Sequence, residues 1–190
     1  TTGGQAGASA VGGAAGLGGL GGYGTGGAAS PFGPMSAVQA LVPLIPGRVL
    51  TYELSTLDPA NGLGTCDSPL GVFGEVGEYD GHQGVWYDSP CQTVLTLLTY
   101  EGEDVTAYGD EILPEMRSYL LSPLAETTEW NGMAWRFAGN LTVPAGTFTD
   151  CWDRTRVDRE DTFVTYCTGV GLVAMSDQIR NLRAELARIE

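Results

Sequence analysis

The chain has 190 residues, with nine basic side chains against 23 acidic ones for a net charge of −14, and every basic residue is arginine. Such a surface repels phosphate backbones and anionic lipid heads, which argues against a nucleic-acid partner. No apolar run approaches the ~20 residues that a membrane-spanning helix needs. Four cysteines beside a single histidine do not make a zinc set of the usual spacing; they fit two disulfides formed in an oxidising compartment.

The charge is unevenly placed. Residues 1–30 contain thirteen Gly and seven Ala, and the first charged side chain is Arg48. Within this arm Gly recurs at 4, 7, 13, 16, 19 and 22, interrupted by Ala10. Larger residues keep the same three-residue period on another frame: Val11, Ala14, Leu17, Leu20 and Tyr23. That period suits an extended three-fold helix in which only Gly fits a crowded axis. It suits neither an α-helix, which Gly opposes by about 1 kcal/mol per residue, nor a period-two strand. No proline precedes Pro31, so such a helix needs other copies or another surface to hold it. Two matches to G-x-G-x-x-G, Gly16–Gly21 and Gly22–Gly27, neither follow a strand pattern nor open an amphipathic helix, so they carry no phosphate-binding reading. A chain opening at Thr1 reads as a mature exported product. Composition therefore divides it into a Gly/Ala-rich arm over 1–40 and a disulfide-bonded β domain over 41–190.

Residues 37–50 are apolar but broken by Pro43, Pro46 and Gly47. From there short β patterns follow one another. VLTYEL (49–54) alternates, and GVFGEVGEY and HQGVWYD flank Asp80-Gly81, a strong hairpin signal. QTVLTLLTY (92–100) and DVTAYGD (104–110) flank an acidic turn over Glu101–Asp104. EMRSYLL (115–121), MAWRFAG (133–139), CWDRTRV (151–157), TFVTYC (162–167) and VGLVAMS (170–176) complete the series. The spacing, with Thr, Val, Tyr and Trp dominant, predicts a mainly β fold: a curved antiparallel sheet or half-barrel of about nine strands. Trp86, Trp130, Trp135 and Trp152 read as core rather than as a ligand platform.

Of the three pairings open to four cysteines, a hairpin between CWDRTRV and TFVTYC sets Cys151 opposite Cys167, which leaves Cys66 for Cys91. The C-terminal DQIRNLRAELARI (177–189) carries two patterns at once. Ile179, Leu182, Leu186 and Ile189 have helical spacing, yet Leu182, Ala184 and Leu186 also alternate as in a strand.

Three motifs carry a resemblance. PLIPGRVLTY (43–52) is similar to a P-L-x-x-G-x-x-W-x-Y opening, with Leu50 at the Trp position, and PLAETTEW (123–130) repeats that spacing with Thr127 at the Gly position. VPAGTF (143–148) followed by Cys151, and YCTGVGLV (166–173), complete the set. Over roughly residues 41–189 the chain resembles a group of uncharacterised exported proteins and lipoproteins of Gram-negative bacteria. The resemblance implies a half-barrel like that of lipoprotein carriers and a C-terminal strand through LRAEL (182–186). It implies no activity and no catalytic residue.

The residues offer no catalytic constellation either. There is no G-x-S-x-G elbow, and His82 reads as a solvated turn histidine. Glu101, Glu103 and Asp104, like Asp158, Glu160 and Asp161, read as solvated turn carboxylates without a calcium-loop register. The expectation is a non-enzymatic secreted subunit without cofactor or metal. Its arm, through Val11, Leu17, Leu20 and Tyr23, would bind other copies or grip a protein complex at the cell surface or outside it. The alternative is a periplasmic or surface module holding an apolar ligand in the half-barrel, with the arm as a flexible tether.

Overall fold

The structure, a computed structural model, describes residues 36–190 apart from 93, 111, 113–117, 127–128 and 131. A short helix, α1 (Ala37–Leu41), precedes twelve strands: β1 (Val49–Ser55), β2 (Leu70–Tyr79), β3 (His82–Asp88), β4 (Leu95–Glu101), β5 (Asp104–Tyr108), β6 (Ser118–Leu120), β7 (Glu129–Trp130), β8 (Met133–Val143), β9 (Gly146–Arg156), β10 (Arg159–Cys167), β11 (Gly171–Asp177) and β12 (Leu182–Ile189). They form one antiparallel sheet in the order β6-β5-β4-β3-β2-β1-β12-β11-β10-β9-β8-β7. The chain thus runs outward from β1 to one edge, crosses to the other edge, and returns to pair β12 with β1.

That crossing forces the sheet to curl. Laid flat at the usual strand spacing, twelve strands would separate the two edges by about 50 Å, whereas the chain from Leu120 to Glu129 spans at most about 30 Å. The curl encloses the core, and Tyr119 of β6 reaches Tyr166 of β10 across it, hydroxyl to hydroxyl, at 3.3 Å. The expected curved antiparallel half-barrel is therefore present. Among the described residues it has twelve strands against an expected nine or so, in part because two-residue β7 is too short to leave a pattern.

Local chemistry explains the turns. Asp80 and Gly81 both take positive φ (51° and 81°), the left-handed pair that a two-residue β2–β3 hairpin requires. VPAGTF closes a second hairpin, Val143 pairing with Gly146, and its strands are longer than their patterns suggested. At its tip Ala145 N–H donates to the Leu186 carbonyl at 2.9 Å, one residue from an irregularity in the β1–β12 pairing. The C-terminal segment is a strand: Leu182, Ala184 and Leu186 are buried and alternate with less buried neighbours, while Ile179 lies exposed in the preceding turn.

One end of the half-barrel is plugged by α1. Ser36 caps the helix: its hydroxyl accepts from Gln39 N–H at 3.1 Å, and the Gln39 side chain accepts from Ser36 N–H at 3.0 Å. Val38, Leu41, Val42 and Leu44 are fully or almost fully buried in the main core. The compact fold therefore includes residues on the arm side of the expected 40/41 boundary, because the brief helix sinks two apolar side chains between strands. The opposite end is clamped. Asn181 donates to the Asp58 carbonyl at 2.8 Å, Arg180 donates to the Cys91 carbonyl at 2.7 Å, and a Cβ on Gly64 would lie 1.6 Å from the Arg180 carbonyl oxygen.

Leu41 has no exposed surface, so Leu41→Ala should lower stability by about 2–5 kcal/mol in urea unfolding. Ile179, 76% exposed, should change it by less than about 0.5 kcal/mol when replaced by Ala. Equal effects would show that α1 does not plug the core.

Candidate functional site

Three places collect chemically distinctive side chains. The first is the plugged end, from which the arm departs. Ser36 O–H donates to the Glu103 carbonyl at 2.6 Å, and Gln39 Nε2 donates to the Gly102 carbonyl at 3.0 Å, so the β4–β5 turn holds the start of α1. At the other end of the helix, Gly169 N–H in the β10–β11 turn donates to the Ala40 carbonyl at 2.8 Å. The helix therefore bridges the two halves of the sheet. The Glu103 and Asp104 carboxylates both accept from Ser122, at 3.0 and 2.6 Å. These acids are structural acceptors at the crossing between the sheet's edges, not merely solvated turn groups.

The second is a cluster on the outer face of β2–β5. His82 Nδ1 lies 2.8 Å from Glu101 Oε1, the Tyr108 hydroxyl donates to the same carboxylate, and the His82 and Tyr108 rings stack at 4.0 Å. His82 is thus a strand residue with two partners. The turn reading missed it because its neighbours come from β4 and β5, far along the sequence. The Trp86 ring lies across the backbone of Gly77, where a Cβ would sit 2.3 Å from its Nε1, and Tyr79 meets it edge-on at 6.4 Å. The cluster has an acid–base pair but no nucleophile or anion hole beside it among the described contacts. As geometry it ties four strands together.

The third is the concave face. Cross-strand registers place Phe137, Trp152 and Tyr166 side by side on β8, β9 and β10, with Trp135, Arg154, Val164, Met175 and Ala184 in the adjoining row. Tyr52, Tyr87 and Tyr166 are buried here; Tyr52 donates to the Leu172 carbonyl at 2.8 Å, and Trp135 packs edge-on against Tyr166 at 6.2 Å. Burial pushes the hydroxyls of all three well above the ordinary tyrosine value, and that of Tyr119 is raised for the same reason. At the β8 end the cover stops. Phe137 stays 48% exposed although it packs on Trp152 at 5.1 Å. The tryptophans accordingly divide: Trp135 is core, while Trp86 and Trp152 are half-buried.

The arm residues Val11, Leu17, Leu20 and Tyr23 lie outside the described residues. The four cysteines form Cys66–Cys91 and Cys151–Cys167, the second directly across the β9–β10 register. Among the described residues, no group of three His, Cys, Asp or Glu is placed to hold a metal ion, and no helix is long and apolar enough to cross a membrane.

No family model and no curated protein matches the chain. Among solved structures, a candidate lipoprotein from Parabacteroides distasonis aligns over 79% of this chain and 98% of its own, at 13% identity and a TM-score of 0.37.

The buried tyrosines set a pH limit. Each keeps its proton in the fold and releases it near pH 10 when unfolded, so their contribution is intact below about pH 10 and declines as pH rises beyond it. In an alkaline titration followed at 295 nm, the tyrosine signal should rise in more than one step. Tyr52, Tyr87, Tyr119 and Tyr166 should follow together with loss of the circular dichroism signal. Ionisation of all eight tyrosines in one step near pH 10, with the fold retained, would contradict this burial.

Proposed function

We propose that this protein is an exported, non-enzymatic structural subunit, and that its Gly-rich arm joins copies into a filament or a larger extracellular complex. The observation that carries the reading is the fixed root of the arm. Ser36 is bound at once to Gln39 and to the Glu103 carbonyl, so the segment before it leaves a rigid plug rather than a frayed end. Two disulfides support an oxidising location outside the cytoplasm. The concave face supports the same reading, because Tyr52, Phe73, Tyr87 and Tyr166 are buried there in packing.

One observation favours a second reading, in which the half-barrel holds an apolar ligand and the arm is a tether: Phe137 stays half-exposed on the concave side. Mass spectrometry of a lipid extract from purified protein tests it, and a stoichiometric lipid would favour it over assembly.

Removing residues 1–30 leaves Ser36 and α1 untouched. The shortened chain should melt within a few degrees of the full chain and run as a monomer in sizing with light scattering, while the full chain runs as a multimer. The same multimer without the arm would overturn the proposal.

A further inference from the structure

β8 is a long strand with a short neighbour. It runs from Met133 to Val143, yet β7 pairs only with Met133 and Ala134. From Phe137 to Thr142 the side of β8 turned away from β9 has no backbone partner among the described residues, while its Val143 end is buried and lies against β12. Unpaired edges of this length invite an added strand. Phe137, half-exposed against Trp152, stands at the start of this free edge. The strand itself also carries no acid: no Asp or Glu occurs from Trp130 to Thr149, the longest such run after Glu53. In a chain of net charge −14, such a strand adds no repulsion of its own toward another copy.

We infer that the free edge of β8, with the Phe137–Trp152 shelf, receives the Gly-rich arm of a second copy. This rests on the assembly reading above and specifies its contact. The arm carries no charge, so it adds none to the acid-free edge. Irregularities in the β8–β9 register around Gly139, whose φ is +73°, bend the edge. A Gly-rich chain follows a bent edge at little steric cost, and as an added strand it would turn Leu17 and Tyr23, six residues apart, to one face as the apolar side chains for the shelf.

Position and length select a second copy over the arm's own domain. α1 runs from the β4–β5 turn toward the β10–β11 turn. Ser36, where the arm joins the domain, therefore lies on the β4–β5 side of the plug. At the ~3.1 Å rise of an extended three-fold helix, Leu20 and Leu17 would stand about 50–60 Å from Ser36. A domain of this size is only about 40 Å across. A contact from arm to edge is head-to-tail, and repeated it builds a ring or an open filament.

The test uses the full chain. Phe137→Glu should raise the concentration at which half the protein is assembled at least tenfold, with melting temperature nearly unchanged. Phe137→Tyr should assemble as the parent does, as should Val157→Glu at an equally exposed apolar position elsewhere. Independently of whether Phe137→Glu folds, a photo-crosslinking residue in place of exposed Asn140 can be tested in a mixture of isotopically light and heavy chains. It should capture peptides from residues 1–30 of the other isotope. Capture within one chain only, or of any other segment, would overturn the inference. So would a multimer indifferent to Phe137→Glu, which would leave arm-driven assembly standing. A monomeric full chain would overturn assembly itself.

Discussion

Everything in this fold depends on the pairing of β1 with β12. It joins the first and last strands in the middle of the sheet, Leu50 opposite Ile189 and Ser55 opposite Arg183. Two consequences follow. The sheet's edges must come from the middle of the chain, where one short connection has to link them, and this enforces the curl. The residues before β1 must enter at the centre of the sheet, so α1 occupies one end of the half-barrel rather than a flank. The arm joins the fold at Ser36, held to the β4–β5 turn.

The two ends are tied by different chemistry. At the plugged end the bonds are partly buried: Tyr100 donates to the Val42 carbonyl at 2.9 Å and accepts from Leu44 N–H at 3.1 Å, while the charged Arg48 donates to the Val170 carbonyl at 3.0 Å. At the far end, Cys66–Cys91 staples the long β1–β2 loop to the β3–β4 loop, and Asn181 and Arg180 bind both from the β11–β12 turn. Such a bridge adds about 2–4 kcal/mol by limiting the unfolded chain. The long irregular loop is thereby fixed without a core of its own.

Much of the fold was legible because its signals are local. Asp80-Gly81 marks a turn that demands positive φ, and Cys151 and Cys167 flank the β9–β10 turn, brought opposite each other by a register irregularity between Arg159 and Phe163. The α1 plug was hidden because five residues between a Ser and two prolines are too few for a helical period. Its one local trace is the Ser36 and Gln39 pair of a capping box. The partners of His82 and the exposure of Phe137 depend on which strand lies beside which. Phe137 reads as core in its own strand; only the brevity of β7 uncovers it.

An acidic domain with a neutral arm and an acid-free strand at its edge offers the arm of another copy a place to bind without added charge repulsion. The most direct measurement is an electron micrograph of the purified full-length protein at physiological salt. The account predicts filaments or closed rings with a regular repeat close to one domain width, about 40 Å. Isolated particles of one 19.9 kDa chain at every concentration would contradict it.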